Sequence, residues 1–192
     1  MTAVPPTEKA RATRAALIRS AGELFEASGY GAVSIRDVAG HNNLTTGAIY
    51  GHFRNKADLL AAAIADRIAS DLEGPNFGHV SLTEYLSRQA RAYRSRAGLR
   101  ALLVEGAHAG HVDDDAREEI GEIYEAKLAE WRAIYRSLQA DENSFRGVDM
   151  DTLVTMLWAM ELGIGVLEAA GVDLPKPAAW SAALHQLLEG IE

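Results

Sequence analysis

Residues 34–60 read SIRDVAGHNNLTTGAIYGHFRNKADLL, and the way this stretch folds decides the reading of the whole chain. Ser34 is an N-cap residue with Asp37 three positions on, a short-acid capping box that satisfies two orphan amides. Ile35, Val38 and Ala39 recur at i, i+3 and i+4, the period of one helix face. The helix stops near Asn42-Asn43, because asparagine is the non-glycine residue that best tolerates a positive φ at a helix C-terminus. Leu44, the lone apolar residue of the turn, plugs the gap between this helix and the next. Thr45 caps a second helix whose inner face is Ala48 and Ile49, which leaves Thr45, Thr46, Gly47 and Tyr50 outside. Asn55 caps a third helix, with Asp58 at its third position. Two short helices, a tight turn and the start of a longer helix make a helix-turn-helix.

At 192 residues the chain holds one large domain or a small domain beside a larger one. The composition is globular, and the absence of cysteine excludes a disulfide framework, a thiolate metal site and a cysteine nucleophile. Residues 1–6 open a polar stretch and are expected to be a disordered tail. The most apolar stretch, residues 153–170, contains Glu161 and Glu168, each costly at a bilayer centre, so it reads as a buried or dimer-forming helix. No membrane partner and a cytoplasmic location are expected. The net charge is −8, yet residues 1–56 carry seven Lys/Arg against four Asp/Glu; that surplus of +3 leaves −11 for residues 57–192. A basic head on an acidic body is compatible with nucleic-acid binding through the head alone.

Helical periodicity runs through the rest of the chain. Thr7 to Ser28 forms the first helix, with Leu17, Ala21, Leu24 and Phe25 on its apolar face and Gly29 and Gly31 at its end. Leu60, Ile64, Ile68 and Leu72 carry the helix begun at Lys56 to about Glu73, and residues 74–80 form a loop. A capping box at Ser81 and Glu84 opens another helix. Leu99 to Ala109 is a short buried helix that Gly110 ends. Asp113 to about Gln139 is a long helix, with three acids at its positive end. Residues 149–170 are almost wholly apolar, and residues 177–191 make a last amphipathic face behind Pro177. The count is about nine helices with no strand, an all-α fold.

The 34–60 segment resembles the TetR family of transcriptional regulators. The family pattern is matched here by Val38-Ala39, Asn42-Asn43-Leu44-Thr45, Gly47-Ala48-Ile49-Tyr50, Phe53 and Lys56. Asn43 stands where the family has its turn glycine, and Asn42 replaces a small apolar residue. The resemblance implies a helix-turn-helix DNA-binding domain over residues 7–55 (motif 34–53) and a connector helix over 56–73. It assigns residues 74–192 to a ligand-binding and dimerisation domain.

Thr45, Thr46 and Gly47 suit a major groove, since hydroxyls and threonine methyls meet base edges and glycine allows close backbone approach. Tyr50, His52 and Lys56 fit phosphate contacts, and Ser34 and Arg36 are placed for the flanking backbone. Lys9, Arg11 and Arg14 face either phosphate or solvent. A hairpin that merely packs, with His52 as a packed histidine, is the alternative. The family also implies a double-stranded DNA operator, a repressor released from it by a small, largely apolar effector, and a homodimer. Helices 149–170 and 177–191, which carry more apolar surface than one face needs, are the expected dimer interface, with Gly163 and Gly165 allowing close approach. Tyr85, Arg88, Gln89, Tyr93, Leu103, Tyr124, Leu128, Trp131, Trp158 and Glu161 are candidates for an effector pocket; aromatics at helical spacing equally make core.

No cofactor and no catalytic residue is expected. His108 and His111, followed by Asp113 to Asp115, have ligand-like spacing, but no carboxylate–histidine repeat supports a metal. The rival reading is an all-helical ligand-binding protein or enzyme in which the hairpin is architectural. It lacks a phosphate loop, a nucleophile elbow and paired carboxylates in apolar surroundings.

Overall fold

A computed structural model describes residues 7–72, 84, 87–88, 93–141 and 147–189. These contain eight α-helices, a 3-10 turn at Tyr93–Arg96, and no strand. The helices are α1 (Glu8–Ser28), α2 (Ile35–His41), α3 (Thr46–Tyr50), α4 (Lys56–Leu72), α5 (Ala97–Val112), α6 (Asp114–Asp141), α7 (Met150–Ala169) and α8 (Pro177–Glu189). The expected tail 1–6, the loop 74–80 and the body of the helix opening at Ser81 lie outside the described residues.

The chain divides into two compact units, Met1–Leu72 with Glu105–Ile123, and Glu73–Val104 with Tyr124–Glu192. Helices α5 and α6 therefore each contribute to both. In the first unit α1 and α4 pack together, burying Leu17, Ala21 and Phe25 from one and Leu60, Ile64 and Ile68 from the other. Each such leucine, isoleucine or phenylalanine taken from water is worth about 1.5–3 kcal/mol. Helix α1 is capped by the Thr7 hydroxyl, which accepts from the Ala10 amide at 3.3 Å. It ends at Gly29, whose φ of 80° is open to glycine at no steric cost.

Helix α5 runs through Gly110 to Val112, where the sequence placed its end. The glycine is used for proximity instead: a Cβ there would lie 3.4 Å from the Arg117 Cα, and the Arg117 Nε donates to the Gly110 carbonyl at 2.9 Å. Asp113 then caps α6, accepting from the Ala116 amide at 3.2 Å.

The second unit is organised around α6 and α7. Tyr135, Leu138, Met150 and Val154 are buried together, with Leu128, Trp131, Leu157 and Leu184 packed against them. Trp158 meets Trp131 and Tyr124 edge-on, with ring centroids at 4.9 and 5.4 Å, the favoured T-shaped arrangement. Helix α7 starts from Asp149, whose carboxylate accepts from the amides of Asp151 and Thr152. By length and composition α7 is apolar enough to cross a membrane, but its carboxylates are engaged within the unit: Arg100, wholly buried, donates to Glu161 at 3.1 Å and to both oxygens of Glu168 at 2.7 and 2.6 Å.

Gly165 corrects an expectation. Its close approach is within the chain, because a Cβ would lie 3.0 Å from Val104 Cγ2 and 3.2 Å from the Arg100 carbonyl, whereas Gly163 faces open space. Along α7, Met156, Val166 and Leu167 stay exposed, at 64%, 55% and 44%, with Thr152, Ala159, Gly163 and Ala170 beside them. These positions follow one helix line. Gly165→Ala is expected to destabilise the protein by about 1–3 kcal/mol, the usual cost of overpacking, and Gly163→Ala, which meets no neighbour within the chain, to cost less. Urea unfolding of the two variants checks the contrast.

Candidate functional site

The hairpin of α2 and α3 is built from local chemistry. Ser34 and Asp37 form a reciprocal capping box, the Ser34 oxygen accepting from the Asp37 amide at 3.2 Å and the Asp37 carboxylate from the Ser34 amide at 2.8 Å. The hydrogen bonds from Ser34 hold the Asp37 carboxyl below its ordinary pKa. At the other end of α2, Asn43 takes φ 53°, the Leu44 amide donates to Ala39 at 2.9 Å, and the Asn43 amide donates to Gly40 at 3.1 Å. This is a Schellman closure with asparagine in the left-handed position. Asn42 is more than tolerated in its place: its side-chain amide donates to the Ser20 hydroxyl at 2.5 Å and to the Val38 carbonyl at 2.8 Å. It thereby ties the end of α2 to the buried face of α1.

Helix α3 is one and a half turns long and projects from this turn. The Thr45 hydroxyl caps it, accepting from the Ala48 amide at 3.3 Å, and Ile49 is wholly buried beneath it. The outer surface then carries Thr45, Gly47 and Tyr50, all exposed, with Thr46 half-buried. Ser34 and Arg36 are exposed at the start of α2, and His52 is half-buried beside Phe53. The residues singled out from the sequence are thus placed on the hairpin and its two flanks. Around Gly47 a Cβ would meet nothing closer than the Thr45 hydroxyl at 3.9 Å, so no packing demand accounts for this glycine.

Lys56 differs from a simple phosphate lysine. Its ammonium donates to the Tyr30 carbonyl at 2.8 Å and lies 3.9 Å from the centre of the Tyr30 ring. An ammonium has three donors, so this leaves capacity for a further acceptor. Arg14, on α1, stacks its guanidinium over Phe53 at 4.8 Å, while Lys9 and Arg11 are exposed. Arg54 was not among the sequence candidates. Its side chain is 71% exposed and it pairs with Asp58 and Glu119. Being a lone charge in a turn, it carries no periodic signal.

The expected effector residues are scattered in kind. Leu103 is buried, Tyr124 donates to the Leu103 carbonyl at 2.8 Å, and burial pushes the Tyr124 hydroxyl's pKa up. Leu128, Trp131 and Trp158 belong to the α6–α7 packing described above. Glu161 is engaged by Arg100 and Arg96, and Arg88 pairs with Glu84 one turn away. Tyr85 and Gln89, and the Tyr93 side chain, lie outside the described residues. A cleft of about 430 Å³ in the same unit is lined by Ala97, Glu168, Gly171, Val172, Asp173 and Leu174, a set that shares no member with those candidates. His108 and His111 are exposed on α5, and among the described residues no group of three potential ligands could hold a metal ion.

Residues 17–63 match the family model described as bacterial regulatory proteins, tetR family. Over 191 aligned residues the chain is 23% identical to the HTH-type transcriptional regulator UidR of Escherichia coli (strain K12), covering 95% of this chain and 94% of that one. It is 40% identical over 57 residues to the HTH-type transcriptional regulator TtgR of Pseudomonas putida, covering 30% of this chain and 27% of that one. Among solved structures, Salmonella enterica GusR superposes with a TM-score of 0.73 at 25% identity, over 96% of this chain and 97% of that one. The 34–60 stretch therefore lies within the matched segment. Asn42→Ala is expected to lower stability by about 1 kcal/mol, since it removes the hydrogen bonds that its side chain donates to the Ser20 hydroxyl and the Val38 carbonyl. Thermal unfolding of the variant beside Ser20→Ala checks this, and the double variant should cost less than the two singles added together.

Proposed function

We propose that the chain, whose residues 17–63 match the model of the tetR family of bacterial regulatory proteins, is a helix-turn-helix DNA-binding transcriptional regulator of that family and a homodimeric repressor, released from a near-palindromic operator by a small molecule. The observation that carries this reading is the short helix α3, anchored by Ile49 and left with Thr45, Thr46, Gly47 and Tyr50 on its outer face. A helix of that length contributes little core. Its value lies in what it presents.

In this reading Thr45 and Thr46 meet base edges in the major groove and Gly47 admits the backbone of the duplex. Tyr50, His52 and Lys56 contact phosphates on one side, and Ser34 and Arg36 contact them on the other. Two heads must sit about 34 Å apart to enter successive grooves, which needs two copies of the chain. The exposed α7 line through Met156, Gly163, Val166 and Leu167, together with α8, supplies the surface for that pairing. The effector takes a site in the second unit, and by binding one dimer conformer better than the other it changes the spacing of the heads. Helix α4, whose last residue Leu72 leads into the second unit, is the connector. The proposed location is the cytoplasm.

The test is selection of bound fragments from a random duplex pool with the full-length protein. Two half-sites one DNA turn apart are the expected product; a failure to be retained on heparin or random duplex at low salt would favour an architectural hairpin. Tyr50→Ala and Lys56→Ala should each weaken binding to all sequences and lower the salt slope by about one. Thr46→Ala should relax sequence preference at one position, and it loses its assigned role if only overall affinity falls. Met156→Glu combined with Leu167→Glu should yield monomers by sedimentation and abolish binding to the paired half-sites.

A further inference from the structure

Four carboxylates spread along residues 105–119 grip the two turns that flank the recognition hairpin. On the entry side, between α1 and α2, the Tyr30 amide donates to Glu105 Oε2 at 2.6 Å and the Tyr30 hydroxyl donates to Asp113 Oδ2 at 2.8 Å. On the exit side, between α3 and α4, the Asn55 amide group donates to Asp115 at 3.1 Å and the Arg54 guanidinium pairs with Glu119. Lys56 joins the two turns to each other, through the Tyr30 carbonyl and ring. All of these groups belong to the first unit.

We propose that the corner where α5 meets α6 is the positioning element of the DNA-binding head, and that Glu105 and Asp113 act on DNA affinity through Tyr30 without touching DNA. The proposal rests on the DNA-binding reading above. Its argument is geometric. The hairpin is entered through residues 29–34 and left through residues 51–56, so fixing both turns to one rigid corner fixes the angle at which α3 is presented. Gly29 is shaped to the same contact: a Cβ on it would lie 3.2 Å from the Glu105 carboxylate, and its φ is 80°. At the corner itself, Gly110 lets the Arg117 backbone come within 3.4 Å of where a Cβ would stand, which stiffens the junction of the two helices. An isolated exposed ion pair contributes little. Here the contacts converge, and the one made by the Tyr30 peptide uses a backbone donor that has no helical partner.

The experiment uses the full-length protein and the duplex that the wild type selects from a random pool, with copies in which the half-site spacing is changed by one base pair. Glu105→Ala and Tyr30→Phe should bind the selected duplex about five- to tenfold more weakly. Both should lose discrimination against the altered spacings, yet keep the wild-type salt slope because no phosphate contact is removed. Glu105→Gln, which retains an acceptor oxygen, should restore the wild-type behaviour. Folded variants that keep both affinity and spacing discrimination overturn the proposal, as does a salt slope lowered by about one. A wild-type protein that selects no duplex overturns the DNA-binding reading, and this proposal falls with it; the other two results leave that reading intact.

Discussion

A helix of five residues cannot hold itself together in water, because nucleation fixes several dihedrals for each hydrogen bond gained. Everything presented by α3 therefore depends on constraints outside it. Thr45 caps its first turn, Ile49 is wholly buried beneath it, and the Asn43 closure of α2 sets the direction in which it leaves. Asn42 then binds that closure to Ser20 on α1, and α1 is held by α4. What α3 exposes is in this sense the outer consequence of a chain of inner contacts, each supplied by a residue whose chemistry is visible in the sequence.

Several of the described carboxylates are engaged by partners within the chain. Asp113 caps α6 and accepts the Tyr30 hydroxyl, and this hydrogen bond, the largest influence on it, keeps its carboxyl below the ordinary pKa. Glu161 and Glu168 face Arg100, where burial works against the guanidinium's charge and the two carboxylates more than restore it. Breaking one partner from such a buried set would leave the others uncompensated, which is far more costly than losing a surface pair. Helix α7 can thus be the most apolar segment of the chain and still carry two acids. Their charges are matched across the α5–α7 contact and are not an obstacle to be solvated.

What the sequence made legible were the signals that act over a few residues. Ser34, Asn43, Thr45 and Asn55 all sit where their capping chemistry places them, and the starts of α4 and α8 follow. The misses share a different cause. Gly110 reads locally as a helix stop, but its role is set by Arg117 on the next helix; Gly165 reads as a dimer residue, but Arg100 and Val104, some sixty residues earlier, occupy the space beside it. The Tyr30–Glu105 contact spans 75 residues and the Arg54–Glu119 contact 65, and neither has a periodicity to announce it. For the body aromatics the sequence could show helical spacing alone, and spacing does not separate a residue that packs from one that lines a cavity.

In the proposed dimer, the exposed line on α7 would bear on how the heads are paired. It is made of a few large apolar groups, Met156, Val166 and Leu167, set among Thr152, Ala159, Gly163 and Ala170. Large groups flanked by small ones, Met156 and the Val166–Leu167 pair on either side of Ala159 and Gly163, would let two copies of the same face interlock, as a two-fold interface needs each patch to complement itself. A lipid surface would make no use of that alternation, and a partner of different shape would not need it. The same two-fold axis would relate the two copies of α3, so the symmetry of the greasy face and the symmetry of a palindromic duplex become one geometric condition. The inner contacts that orient each head would then set how strictly that condition is met.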